Sequence, residues 1–217
     1  MHDFRKWRTL MPHQNWTLPT RILHLGLVFT VSAQLFISLI MEEPGEGYGG
    51  FGQFAFSAHE IIGLVALIIV VLHWTWSFFN DKPEGVQHLL PWNAAARQRI
   101  LSELKGILNG NLPTMDKHGG LIGLIHGLGL LAVTGVAITG GILYLILPEI
   151  GEAGWIAKTY EEIHEFFAVL VWTYWIGHGG MAILHHVNGD KHIKKMFKIF
   201  PKIYPLRKRS IDSNSRT

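Results

Sequence analysis

Residues 61–80 read IIGLVALIIVVLHWTWSFFN and contain no Asp, Glu, Lys or Arg. About 20 helical residues, each adding a rise of about 1.5 Å, cross a hydrocarbon layer of roughly 30 Å. A charged side chain at the centre of such a helix would cost about 2.5–3.5 kcal/mol on insertion scales. The stretch therefore predicts a helix that crosses a membrane.

Three further stretches lack charged residues in the same way, namely residues 22–41, 118–148 and 166–189. Only 16% of the chain is charged and 48% is hydrophobic, whereas a soluble domain carries about 25% charged residues. We therefore expect an all-α fold, an integral membrane four-helix bundle in contact with lipid. The predicted spans of this single membrane domain over residues 1–217 are about 20–41, 58–80, 119–147 and 163–186.

The charged residues lie in blocks between the predicted spans. All but one of the 19 Lys and Arg residues precede the first span, separate the second from the third, or follow the fourth. The exception is Lys158, and the two remaining loops are rich in Glu. By the positive-inside rule the basic segments are cytoplasmic. Both termini are thus predicted inside, with residues 187–217 as a basic cytoplasmic tail, and the basic blocks indicate topology rather than nucleic-acid binding.

The predicted cytoplasmic loop between the second and third spans contains a pattern typical of a helix. Residues 83–113 contain Pro, Gly and Asn with scattered charges. Within them, residues 94–108 predict an amphipathic helix that lies on the inner membrane surface.

Histidine is the main soft metal ligand that this chain offers, because it has 13 His and no Cys. His59 and His73 are 14 residues apart, and so are His164 and His178. At about 100° per residue, the two members of each set point within about 40° of one helix face and lie about 21 Å apart along the axis. Two haems stacked across a membrane, each held by imidazoles from facing helices, require this arrangement.

The depth of the histidines decides which of them can pair. His59 and His164 each begin a helix that runs inward, so they are predicted at similar depth on the outer side. His178 lies deeper, on the inner side. Three other histidines are predicted on the inner half: His24, His73 and His126. The first two are candidate partners of His178, and the spacing alone does not choose between them.

Two other functions are compatible with histidines inside a membrane. A histidine-lined metal-ion transporter would bind zinc or a similar cation, but its ligands would lie within about one helical turn of each other. A membrane anchor without haem would use its histidines only for packing. One absorption spectrum separates the three interpretations, because only the cytochrome has a sharp reduced alpha band.

Several short stretches are similar to a known family. They are residues 21–24 (RILH), 59–63 (HEIIG), 104–106 (LKG), 133–136 (VTGV) and 163–164 (IH), together with His178 and residues 181–182 (MA). On these residues the chain resembles the bacterial-type cytochrome b561 family, which includes the gamma subunit of respiratory formate dehydrogenase and the cytochrome b subunit of nickel–iron hydrogenase. The resemblance covers about residues 15–198 and is greatest to the formate dehydrogenase gamma type.

The resemblance implies a set of haem ligands. On it, His59 and His164 are the axial ligands of an outer haem b, and His24 and His178 are those of an inner haem b. His73 stays as an alternative inner ligand.

The resemblance also implies partners and a location. In the family a quinone site adjoins the inner haem where the third helix begins, and here Lys117, His118 and Gly119 occupy that place. The implied protein is an electron-transfer subunit of the respiratory chain in the bacterial inner membrane. It would carry electrons between quinone and a catalytic or electron-transfer subunit docked on the outer, periplasmic face. Quinone redox would be its only substrate chemistry.

Overall fold

The computed structural model describes residues 17–42, 50–79, 85–90, 92–109, 120–147 and 153–187, together with residue 196. Its helices are α1 (Leu18–Ile37), α2 (Phe51–Phe78), α3 (Val86–Leu89), α4 (Ala94–Leu108), α5 (Gly120–Ile146) and α6 (Trp155–Val187). No strand occurs among these residues. The predicted all-α fold is confirmed.

The four long helices α1, α2, α5 and α6 are each long and apolar enough to cross a membrane, as predicted. Two of them begin earlier than the spans predicted from charge-free runs. α2 begins at Phe51 rather than near residue 58, and α6 begins at Trp155 rather than near residue 163. A helix does not end where it leaves the hydrocarbon layer, because its backbone hydrogen bonds stay satisfied in water as well. α1, by contrast, ends at Ile37, four residues before its predicted limit.

Local sequence explains where several helices begin. α1 has Pro19 in its first turn, where the missing N–H of proline costs nothing. α2 follows Gly50, whose φ of +150° is open to glycine and rarely to other residues. The Asn93 side chain accepts a hydrogen bond of 2.8 Å from the Ala96 amide and so caps α4. The helix predicted over residues 94–108 is therefore confirmed with its limits.

The four long helices close into a ring. α1 packs against α2, α2 against α5, and α5 against α6. Side chains join α6 back to α1: Trp175 Nε1 donates a 2.9 Å hydrogen bond to Ser32 Oγ, and Phe36 makes edge-on contacts with Trp172 and Trp175. The short helices α3 and α4 pack against α5. The result is a four-helix bundle, as the sequence predicts.

Buried apolar side chains from all four long helices form one cluster in the bundle. A core cluster joins Leu35, Val70, Ala132, Val133 and Val171. Trp74 and Trp175 pack against it and donate hydrogen bonds to the hydroxyls of Thr134 and Ser32. We call this cluster the middle layer. The outward surface is also apolar, with large side chains such as Phe29, Ile68 and Val169 more than half exposed. An apolar exterior around an apolar core is what a membrane-embedded bundle requires.

Candidate functional site

The first histidine pair joins α2 to α6. The rings of His59 and His164 have centroids 6.4 Å apart and planes inclined by 79°. Each histidine lies in the first half of its helix, on the side predicted to face outward. The structure therefore brings together the two residues that the sequence assigns to the outer site.

The second pair joins α1 to α6, on the predicted inner side. The rings of His24 and His178 have centroids 6.4 Å apart and planes inclined by 68°. One helical turn before His178, the ring of Tyr174 stacks on it at 5.1 Å with an angle of 10°. Of the two partners left open by spacing, His24 is thus the one whose ring pairs with His178.

Two more histidines lie near the inner pair but are held differently. The His126 ring on α5 is 5.0 Å from that of His178, and its Nδ1 lies 2.7 Å from the Ile122 carbonyl oxygen, to which it donates. His73 Nδ1 lies 3.4 Å from Ser77 Oγ. Both side chains are therefore tied to their own helices by a bond to a residue four positions away.

Simple geometry tests whether the two pairs fit a metal between them. An imidazole nitrogen lies about 2.0–2.1 Å from a transition-metal ion that it ligates. Because that nitrogen is about 1.1 Å from its ring centroid, two imidazoles on opposite sides of one ion have centroids about 6.3 Å apart. Both pairs, at 6.4 Å, meet this value. The 5.0 Å between His126 and His178 is too short for it.

The hydrogen bonding of the rings agrees with that fit. The Nδ1 atoms of His24 and His59 are buried and have no hydrogen-bond partner within the described part of the chain. Among the described residues no hydrogen bond joins the two rings of either pair, so the nitrogens that face each other are left for a metal. The donor set of two neutral imidazoles per pair therefore suits a six-coordinate haem iron.

Two polar residues on neighbouring helices hold the outer pair. The Gln34 amide on α1 donates a 2.6 Å hydrogen bond to the His59 carbonyl oxygen, and Gly63 leaves room for that amide, since a Cβ there would meet it at 2.7 Å. Thr139 Oγ1 on α5 lies 3.0 Å from His164 Nδ1. Sequence reasoning identified neither residue. Gln34 could have been noticed in the sequence, because burying an amide in a membrane span without a hydrogen-bond partner costs free energy. A single threonine such as Thr139 gives no comparable indication.

Along the helices, the middle layer lies between the two pairs. Val171 is seven residues from each histidine of α6, and Val70 lies within the interval from His59 to His73 on α2. Both valines are at most 2% exposed. The two pairs are therefore separate sites with tightly packed apolar side chains between them.

The structure does not describe the remaining predicted site residues. Lys117, His118 and Gly119, the predicted quinone-site residues, lie outside the described residues. Among the residues that the structure does describe, no three His, Asp or Glu side chains converge as a metal-ion site would require.

Comparison with known proteins bears on this arrangement. A family model described as prokaryotic cytochrome b561 matches residues 15–198. No curated protein and no solved structure matches the chain. The matched range includes all four long helices and both histidine pairs. The chain therefore belongs to the prokaryotic cytochrome b561 family, a family of membrane b-type cytochromes that bind haem b and transfer electrons.

Proposed function

We propose that this protein is a di-haem cytochrome b that carries electrons across the bacterial inner membrane, between a redox partner on the periplasmic side and the quinone pool. The observation that carries the proposal is the occurrence of two histidine pairs with the same 6.4 Å ring separation. One pair alone would support a single haem. Two pairs at different depths support a route through the membrane.

The histidines have the same task at both sites. His59 and His164 would hold one haem b, and His24 and His178 would hold the other. Four neutral imidazoles bring no charge of their own into the bundle, which avoids the cost of burying ionised side chains there. When bound, haem b would supply a one-electron iron couple, and its retention by one histidine from each of two helices would suit electron transfer rather than oxygen chemistry.

Helix α6 sets the distance between the two sites, because it contributes one histidine to each. His164 and His178 are separated by 14 residues of continuous helix, which corresponds to about 21 Å along the axis. A single rigid helix keeps this spacing fixed. The apolar side chains of the middle layer lie in this interval. Electron transfer through the bundle then needs no moving part.

We propose that quinone binds at the inner end of α5, beside Lys117, His118 and Gly119. This assignment is supported by sequence position, since these residues directly precede Gly120, the first residue of α5. Reduction of a quinone consumes two protons. Imidazole titrates near neutral pH, so His118 is suited to deliver one of them.

We also propose a partner on the outer face, a catalytic or electron-transfer subunit of the formate dehydrogenase or hydrogenase type. The outer connections carry Glu residues and a single Lys, Lys158. They are too short to form a catalytic site of their own for formate or hydrogen. Substrate oxidation would therefore take place on the partner, and this chain would receive or return the electrons.

The spectrum of the purified chain tests the proposal. We expect a sharp alpha band after reduction and two haems b per chain in a pyridine haemochrome assay. A colourless protein that binds zinc would instead favour the metal-ion transporter, and a colourless protein without metal would favour the anchor. One haem per chain would remove the route through the membrane and leave only a single redox site.

A further inference from the structure

The hydroxyl of Thr139 is placed to act on one histidine of the outer pair. Thr139 lies on α5 and is only 6% exposed. Its Oγ1 lies 3.0 Å from His164 Nδ1 on the neighbouring helix α6. The same oxygen donates to the Gly135 carbonyl at 2.8 Å and also lies 3.1 Å from the Val136 carbonyl.

The direction of the bond to His164 follows from counting protons. A threonine hydroxyl has one proton and two lone pairs. The proton is used within α5, in the bond to the carbonyl oxygen four residues earlier. With the proton used there, the oxygen accepts from His164 Nδ1. The Val136 carbonyl, which also hydrogen-bonds to His164, can only accept as well, so both partners on α5 place the ring proton on Nδ1. In a neutral imidazole the other nitrogen, Nε2, consequently has a free lone pair.

Gly140 makes this close approach possible. A Cβ at that position would lie 3.0 Å from Cε1 of His164, which is tighter than ordinary van der Waals contact. Without a side chain there, the imidazole ring can lie against the backbone of α5 and reach the hydroxyl next to it. Adjacent residues of α5 thus provide the space and the hydrogen-bond acceptor.

The other half of the outer pair lacks such a partner. His59 Nδ1 is buried without a hydrogen bond among the described residues, and the Gln34 amide bonds to the backbone of His59 rather than to its ring. His164 is therefore the histidine of this pair whose ring orientation and tautomer are fixed by a neighbouring helix.

We infer that Thr139 is a positioning residue for the outer haem, which holds His164 in the Nδ1-protonated tautomer with Nε2 directed towards the iron. This inference rests on the proposed function, because it requires His164 to be an axial ligand. A ligating histidine whose other nitrogen donates a hydrogen bond is a stronger base. A stronger axial base favours the oxidised iron and lowers the reduction potential.

Replacement of the hydroxyl tests the inference. Thr139→Val keeps the shape of the side chain but removes the acceptor, whereas Thr139→Ser keeps the acceptor. In Thr139→Val we expect a more positive midpoint potential of the outer haem and an affinity for that haem about 10- to 100-fold lower, measured by its release to excess apomyoglobin. In Thr139→Ser both values should equal those of the native chain.

Thr134→Val is the matched control. Thr134 lies on the same helix, donates to the Leu130 carbonyl and accepts a 2.9 Å bond from Trp74 Nε1. Its replacement therefore removes an interhelical hydrogen bond of the same kind away from His164, and the outer potential should stay at the native value. The inner haem serves as a measure of folding in every variant. If Thr139→Val does not accumulate, Thr139→Ala removes the same acceptor with a smaller side chain.

The outcomes distinguish this inference from the proposed function. If His164→Ala removes one haem but Thr139→Val and Thr139→Ala leave the outer potential and haem release unchanged, Thr139 only packs and the inference is overturned. It is overturned as well if Thr139→Ser shifts the potential as far as Thr139→Val. If His164→Ala retains both haems, the ligand assignment itself fails. Nitrogen-15 NMR of the His164 ring in the haem-free chain reads the tautomer independently, and a proton on Nε2 would contradict the inference.

Discussion

At the scale of single residues, His178 has three aromatic neighbours with different geometry. His24 faces it at 6.4 Å, His126 approaches to 5.0 Å, and Tyr174 stacks on it almost in parallel. Only the first separation matches two imidazoles on opposite sides of one metal ion, about 6.3 Å. The side chain of His126 is in addition bonded to its own helix. Ring separation therefore favours His24 as the second inner ligand.

Replacement of the inner histidines tests this choice. His24→Ala should reduce the haem content from two per chain to one and leave the outer haem, because a single imidazole holds the inner iron too weakly. His73→Ala and His126→Ala are the matched controls and should retain both haems. The measurement is haem per chain with the low-spin absorption spectrum of each variant. Loss of one haem in His73→Ala together with two haems in His24→Ala would assign the inner site to His73 instead.

Sequence could predict the histidines and not the residues that support them. A period of 14 residues in two apolar helices is visible without a structure, and it singled out His59 and His73 on α2 and His164 and His178 on α6. The structure ties His73 to Ser77 of its own helix and does not pair it with His178. Thr139 has no such signal, because a threonine in a membrane helix usually bonds to its own backbone. Its contact with His164 depends on how α5 and α6 pack, so only the folded bundle displays it.

At the scale of elements, α4 has three different faces. One face packs towards the bundle and is half-buried: Ala96, Ile100, Glu103 and Gly106. A second face is apolar and exposed: Leu101, Leu104 and Leu108. A third face is polar and exposed: Gln98, Ser102 and Lys105. Glu103 also accepts a 2.7 Å hydrogen bond from the Leu121 amide at the start of α5. These faces suit a helix that lies at the membrane surface beside the bundle.

Cysteine labelling can test that placement, since the chain contains no cysteine of its own. We expect a cysteine at Leu104 to react with an impermeant maleimide at least about tenfold more slowly than one at Gln98, because apolar surroundings disfavour the reactive thiolate. The measurement uses inverted membrane vesicles, with Ser102→Cys as a second water-facing control. Equal rates at positions 104 and 98 in intact membranes would show that α4 does not contact lipid.

Element limits were predictable only where the sequence marks them. The Asn93 cap and the amphipathic pattern define α4, and the structure gives the predicted limits. α2 and α6 begin before the predicted membrane spans, which start at about residues 58 and 163. The charge-free runs begin only after Glu60 and Glu165, whereas both helices extend beyond these residues towards their N-termini. A charge-free run indicates which residues lie within the hydrocarbon layer. The helix itself can extend beyond that layer, because its backbone hydrogen bonds also form outside it.

At the scale of the whole molecule, the distribution of basic residues predicts the orientation. All but one of the 19 Lys and Arg residues lie in segments on one side. A reporter that is active only in the cytoplasm, fused after Thr217, should therefore be active, and the same reporter inserted between α1 and α2 should be silent. A reporter active only in the periplasm should give the opposite pair of results. Periplasmic activity at Thr217 would reverse the bundle and exchange the sides of the two histidine pairs.

The architecture was predictable from the apolar runs, and the arrangement of helices around the ring was not. Four uncharged stretches were enough to predict four long helices. The junction of α1 with α6 depends on Ser32, Phe36, Trp172 and Trp175, whose contacts join the first long helix to the last. No local sequence pattern predicts a contact between residues that are so far apart along the chain.

The middle layer has an electrical consequence. Its five members are all aliphatic, so these side chains offer no group that could carry a proton between the two histidine pairs. With a haem at each pair, an electron would move about 21 Å along the axis of a hydrocarbon layer of roughly 30 Å, about two-thirds of its thickness. A full crossing is worth about 2.3 kcal/mol per 100 mV. The distribution of electrons between the two sites would thus depend on the membrane voltage, and each transfer would charge or discharge the membrane.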